Sequence, residues 1–181
     1  AAASNGGSPR SYWDWEGRSM SRPEVYRWFA GTAPEHMVFG LAEALIMLEE
    51  EGLEATFARH QRLGAATRAA IEAWSAGGAM EINALVPEER SESVTTIIMG
   101  EDFDLMNFQH VLRENFNVAV GGGLGQLQGK AFRIGHMGDI NEPMILGTLA
   151  SVEAVFEILG IPYGDGALPA AIASLAAAHK S

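Results

Sequence analysis

The fold is decided by "AMEINALVPEERSESVTTIIMG", residues 79–100. "AMEINALV" and "SVTTIIMG" are rich in the branched and apolar residues that suit a pleated surface, and the charged "PEERSE" separates them. A parallel connection needs a crossover of a dozen or more residues. The six residues of "PEERSE" are too few for that, so an antiparallel pair is expected.

Outward from this pair, helical and extended patterns interleave. Upstream, Thr32 and Glu35 have capping-box spacing, with Pro34 in the first turn. Met37, Leu41, Ala44, Leu45 and Leu48 then recur at helical spacing up to a stop at Gly52. A second helix is expected from about Leu53 to Trp74, burying Phe57, Leu63, Ala66, Ala70, Ile71 and Trp74. Arg59, Arg62, Arg68 and Glu72 should face outward. Downstream, Asp102 opens a helix running to about Asn115, "NVAV" reads as a short strand, and "KAFRIGH" reads as another. Residues 141–159 are expected to be helical, packing Met144, Leu146, Leu149, Val152, Val155, Phe156 and Leu159. An Ala-rich helix closes the chain. The order α-α-β-β-α-β-β-α-α, with its short strand connection, predicts an α+β fold: a small antiparallel or mixed sheet with helices packed on one face.

Composition narrows the function classes. The 181 residues carry 12 Lys+Arg against 23 Asp+Glu, a formal charge of −11, which opposes binding to nucleic acid. The absence of cysteine excludes disulfides, thiolate metal sites and a cysteine nucleophile, and fits a reducing, cytoplasmic setting. No apolar run reaches the roughly 20 residues of a membrane span. "AAASNGGSPR" has no apolar signal core and does not begin with Met, so the chain is expected to start inside a longer protein. "SYWDWEG" gathers Tyr12, Trp13 and Trp15, a cluster expected to dock against something large.

The glycine-rich "GGGLGQLQGKAFRIGHMGD", residues 121–139, is the main candidate for chemistry. It is not a phosphate loop: Leu124 stands where the motif ending at Gly129-Lys130 needs glycine, and Ala131 where it needs Ser or Thr. The dinucleotide fingerprint fails at Gln126, and a strand rather than a helix follows. His136 and Asp139 form no recognisable metal set, and no metal is expected. Asp102 and Asp104 fit first-turn pairing with a helix dipole better than a calcium loop. Of the other histidines, His60 is expected to face solvent, His36 and His110 to be partly buried, and His179 to lie in the tail. Arg133 remains. Alternation puts Phe132 and Ile134 on one face of the strand and Arg133 on the other, with Gly135 leaving that face open. A guanidinium rooted on a strand can grip a carboxylate through two parallel bonds. A surface arginine paired with a nearby glutamate fits the same pattern.

"RSYWDW" (10–15), "TAPEHMVFGLAEALIMLEEEGLEATFARHQRLGAATRAAIEAW" (32–74) and "GKAFRIGHMGDINEPMILGTLASVEAVFEILG" (129–160) resemble, in that order, the C-terminal part of class V aminotransferases. The most similar group is the serine–, alanine– and aspartate–glyoxylate branch. The resemblance covers nearly the whole chain. It implies part of a fold-type-I enzyme that uses pyridoxal 5'-phosphate and moves an amino group from a small amino acid to glyoxylate or a similar 2-oxo acid. It implies a homodimer, with residues 1–60 belonging to the large domain and dimer contact and residues 61–181 forming the small domain. By the same resemblance, Arg133 would bind the substrate carboxylate, and Thr32 and Phe29 would approach the cofactor of the partner subunit. Gly121 to Gly125 would leave backbone open to the substrate. Where the family has "TP", Pro34 is shifted by one residue. The catalytic Schiff-base lysine is expected upstream of "YWDW", since Lys130 and Lys180 are the only lysines and neither matches it. Without that lysine the chain alone should not transaminate. The alternative is a non-catalytic carboxylate-binding or assembly module.

Overall fold

The computed structural model describes Trp28, Phe29 and residues 31–180. The "SYWDWEG" cluster lies outside the described residues. Contacts divide the chain between Gly52 and Leu53 into two compact units.

In the first unit, α1 (Glu35–Glu51) starts two residues later than the capping-box spacing suggests. Pro34 takes the N-cap position, and no side chain caps the helix. The proline restricts the residue before it to extended backbone, which keeps residues 32 and 33 out of the helix. Thr32 therefore keeps its hydroxyl free of a capping role. Gly52 ends the helix with φ 85°, donating its N–H to the Leu48 carbonyl. No residue of α1 is buried, and Phe39 is 72% exposed.

The second unit is α+β. It contains α2 (Leu53–Ser75), β1 (Met80–Ile82), β2 (Val94–Met99), α3 (Leu105–Phe116), β3 (Gly121–Gly122), β4 (Ala131–Gly135), α4 (Glu142–Leu159) and α5 (Ala167–Ala178). The strands form one antiparallel sheet in the order β1-β2-β4-β3. As expected, β1 and β2 pair across the short link, with Ile82 opposite Ile97 and Met80 opposite Met99. "NVAV" is not a strand. Asn117 adopts the left-handed conformation at φ 53° and closes α3, while Val118 and Val120 pack against the core as loop residues. The pairing is taken up instead by Gly121 and Gly122.

Ile82, Ile97, Phe132 and Ile134 turn to one face of the sheet, and α2 packs there with α3, α4 and α5. Leu63, Ala66, Ala70, Ile71 and Trp74 of α2 are fully buried, while Phe57 is 55% exposed, contrary to the periodic reading. The centre of the core is aromatic. Phe156 packs edge-on to Trp74 with centroids 5.2 Å apart and stacks on Phe108 at 5.7 Å; Phe108 lies 5.0 Å from Phe132. The ends of α4 are well specified. The Asn141 side chain accepts from the Met144 N–H at 3.1 Å, and Gly160 takes the left-handed cap at φ 64°. Met144 itself is exposed, and Ile145 is the residue that packs.

Candidate functional site

β4 sits inside the sheet, paired on both sides, so its alternation is rigidly enforced. Phe132 and Ile134 are buried in the core, and Arg133 emerges on the reverse face opposite Thr96 of β2 and Gly121 of β3. On that face Val94, Thr96, Ile98, Arg133 and Gly121 remain partly or fully exposed. A side chain added at Gly135 would meet nothing within 4 Å, so the space beside Arg133 is open.

The guanidinium is held at one edge only. Its Nε donates to the Gly122 carbonyl at 2.7 Å. Among the described residues no carboxylate reaches it, and Nη1 and Nη2 have no hydrogen-bond acceptor. The other half-buried arginines behave differently. Arg62 meets Glu142 at 3.2 Å, Arg68 meets Glu92 at 3.1 Å and Arg90 meets Glu72 at 2.8 Å. Arg59 donates to the carbonyls of Gly138 and Ile140. A surface Arg133–Glu pair, the plainer sequence reading, is absent among the described residues. The arrangement leaves a planar pair of donors available to an incoming carboxylate or other oxyanion.

The glycine run is less open than its composition suggests. A side chain at Gly123 would strike the Leu127 carbonyl at 2.1 Å, and one at Gly122 would meet Leu105 at 3.1 Å. Those glycines let chain pack on chain. Of the three, Gly121 alone would bring a side chain against the guanidinium, with both Nε and Nη2 3.3 Å from the position of an added Cβ.

His136 was not singled out by its sequence surroundings, yet it fastens the end of β4. It is fully buried, and its backbone N–H donates to the Ser93 carbonyl at 2.9 Å. Ring Nδ1 lies 3.0 Å from the Glu92 carbonyl and Nε2 lies 2.9 Å from the Thr95 hydroxyl. A carbonyl only accepts, so Nδ1 carries the proton and Nε2 accepts from Thr95. Burial is the main influence holding the imidazole below the ordinary histidine value of 6.5. The Glu92 carbonyl and carboxylate pull upward, and Arg68 and His60 push downward. The unfolded chain therefore takes up this proton first as pH falls. Stability should be complete above about pH 6.5 and should decline as pH drops below it. Urea midpoints between pH 8 and pH 5 are expected to show that slope, and His136→Gln should flatten it. His60 is half-exposed, and its Nε2 accepts the Gly138 N–H at 3.1 Å.

Thr32 and Phe29 belong to the first unit, and Arg133 to the second. Thr32 is exposed and Phe29 is 42% exposed. Lys130 and Lys180 are both exposed at the surface. No cluster that could hold a metal ion occurs among the described residues.

No protein-family model matches the chain. The serine–glyoxylate aminotransferase of Methylorubrum extorquens is 40% identical over 165 residues, covering 91% of this chain and 40% of that protein. The L-aspartate–glyoxylate aminotransferase of Paracoccus denitrificans is 37% identical, covering 85% of this chain and 37% of its own length. In three dimensions the chain superposes on the ureidoglycine–glyoxylate aminotransferase of Bacillus subtilis with a TM-score of 0.76 and 27% identity, covering 96% of this chain and 44% of that one. The chain is similar in sequence and in fold to part of these glyoxylate aminotransferases. It spans about two fifths of the length of the curated relatives it matches. The α+β fold follows the sequence reading, and its sheet carries Arg133 on the open face. No helix among the described residues is long and apolar enough to cross a membrane.

Proposed function

We propose that this segment supplies the substrate-carboxylate grip of a pyridoxal 5'-phosphate-dependent aminotransferase that moves an amino group from a small amino acid to glyoxylate or a similar 2-oxo acid. The observation that carries the reading is the Nη pair of Arg133, rooted on an interior strand and unmatched by any carboxylate among the described residues. Both substrates of such a reaction carry a carboxylate next to the reacting carbon. One fixed guanidinium can therefore orient donor and acceptor in turn. The relatives named above act on serine, aspartate and glyoxylate, and they support this substrate class.

Bound pyridoxal 5'-phosphate would supply an aldehyde that takes up and returns the amino group and an electron-withdrawing ring conjugated to it. The residues present fit a contributing role. Thr32 offers an exposed hydroxyl just ahead of the 17-residue helix α1, whose N-terminal dipole favours phosphate. Phe29 offers a ring that can pack but not hydrogen-bond. Both would serve the partner subunit in a cytoplasmic homodimer. Residues 1–60 would form the large-domain and dimer-contact part and residues 61–181 the small domain. The exposed Met37, Leu41 and Leu45 of α1 suit such a contact. The lysine that exchanges with the amino group would come from a part of the polypeptide outside this sequence, because Lys130 and Lys180 stand on the surface.

The test is direct. A polypeptide containing this segment and a cofactor lysine should be yellow and should transfer nitrogen to glyoxylate. A colourless protein that binds carboxylates without transfer would instead mark a stand-alone binding module. In the yellow protein, Thr32→Val should weaken the cofactor by about tenfold, the worth of one hydrogen bond to a charged group. Titration of the apo-protein with pyridoxal 5'-phosphate checks this, and an unchanged affinity would remove Thr32 from the site.

A further inference from the structure

The two ends of the Arg133 guanidinium are treated differently, and the difference traces to Gly121. A guanidinium can meet a carboxylate side-on, through Nε and Nη2, or end-on, through Nη1 and Nη2. Here Nε is committed to the Gly122 carbonyl at 2.7 Å, which closes the side-on edge. Gly121 faces Arg133 directly across the β3–β4 pair. An added Cβ there would sit 3.3 Å from both Nε and Nη2 and 3.5 Å from the Arg133 Cβ. That is closer than side chains ordinarily pack, so the guanidinium would have to move. Gly121 is not among the positive-φ glycines, so backbone conformation does not account for glycine here. What remains is space for the guanidinium.

We propose that Gly121 is a positioning residue. Its missing side chain lets the guanidinium lie against β3, locked through Nε to Gly122, so that a substrate carboxylate is taken end-on by Nη1 and Nη2. This rests on the carboxylate-binding reading of Arg133. It assigns to β3 a part in recognition: the bare face of Gly121 and the carbonyl of Gly122 together back a cation on the neighbouring strand. It also accounts for glycine at position 121 of the edge strand, where a residue without a side chain weakens the strand.

The experiment uses the cofactor-loaded enzyme and compares Gly121→Ala, Gly121→Val and Arg133→Lys. Glyoxylate KM and kcat are measured, together with the Arg133 Nε–H resonance by nitrogen-15 NMR in the ligand-free protein. Gly121→Ala should raise KM about three- to tenfold with kcat little changed, the loss of part of one charge-assisted hydrogen bond. The Nε–H signal should shift and exchange faster with solvent. Gly121→Val should do more. The alanine variant is compatible with the backbone here, so the test stands even where the valine variant fails to fold. If Arg133→Lys raises KM while Gly121→Ala moves neither KM nor the Nε–H signal, the role of Gly121 is overturned and the carboxylate reading survives. A raised KM with an unaltered Nε–H signal also overturns it, because the effect would not pass through the guanidinium. If Arg133→Lys leaves KM unchanged, the carboxylate reading itself is wrong.

Discussion

On the proposed carboxylate-binding role, replacing Arg133 by alanine in an enzyme containing this segment should lower kcat/KM for the amino donor and for the 2-oxo acid together, each by about a hundredfold or more. The size follows from what is removed. Nη1 and Nη2 can each donate one hydrogen bond to a charged oxygen, and such bonds are worth about 1.5–3 kcal/mol apiece. A tenfold change corresponds to about 1.4 kcal/mol. Losing both therefore spans about two to four powers of ten, and solvent entering the gap returns part of that. Arg133→Lys should fall between alanine and wild type. It keeps the charge but replaces a planar fork with a point donor. The joint loss is the diagnostic feature, because donor and acceptor share the carboxylate and differ elsewhere. Folding should be affected far less. The side chain emerges from the sheet face opposite the aromatic core, and its one internal bond is to the Gly122 carbonyl. That bond contributes about 0.5–1.5 kcal/mol. Steady-state kinetics with both substrates, alongside thermal unfolding, separate the outcomes. A variant that melts earlier but retains its specificity constants would show that Arg133 only supports the strand.

The sequence made this prediction possible because period-two alternation is visible wherever side chains differ. Phe132 and Ile134 flank Arg133, and the structure buries the first two and leaves the third on the opposite face. The β1–β2 pair was legible for a related reason: a short charged link cannot carry a crossover. The extent of α4 was also legible, since its periodic apolar residues placed a helix at 141–159 and it runs Glu142–Leu159. β3 was not legible. Gly121 and Gly122 carry no side chains and so no pattern, while the valines of "NVAV" carry strand propensity without a partner strand. Propensity lost there to topology, because Asn117 turns the chain out of α3 in the left-handed conformation. The Thr32–Glu35 spacing suggested a cap, but Pro34 shifted the helix start. His136 stayed hidden because its partners, Glu92 and Thr95, lie more than 40 residues away and meet it only through sheet pairing. The resemblance to aminotransferases named Arg133 as a carboxylate ligand; the backbone carbonyl that holds its Nε comes from a strand with no sequence pattern.

Phe156→Ala should be the most damaging single truncation to stability, lowering it by about 3–5 kcal/mol. Phe156 is fully buried, and its ring meets Trp74 at 5.2 Å, Tyr163 at 5.6 Å, Phe108 at 5.7 Å and Phe132 at 6.3 Å. It thus joins α2, α3, β4 and the turn after α4 in one contact set. Truncation removes the transfer energy of the ring and also leaves a void that four rigid aromatic neighbours cannot easily fill. The edge-on and stacked contacts add about 0.5–1.5 kcal/mol per pair beyond buried area. A melting temperature lower by about 10 °C or more is expected for a domain of this size. Phe156→Leu should recover part of the loss by refilling volume. Ile158→Ala is the control on the same helix, since that side chain is 53% exposed and should change stability by less than about 1 kcal/mol. Because Phe132 precedes Arg133 and packs on Phe156, the alanine variant should also loosen β4. Hydrogen exchange at the β4 amides would detect that loosening, and glyoxylate affinity should fall with it. Equal destabilisation by Phe156→Ala and Ile158→Ala would refute the aromatic centre as the support on which the Arg133 strand rests.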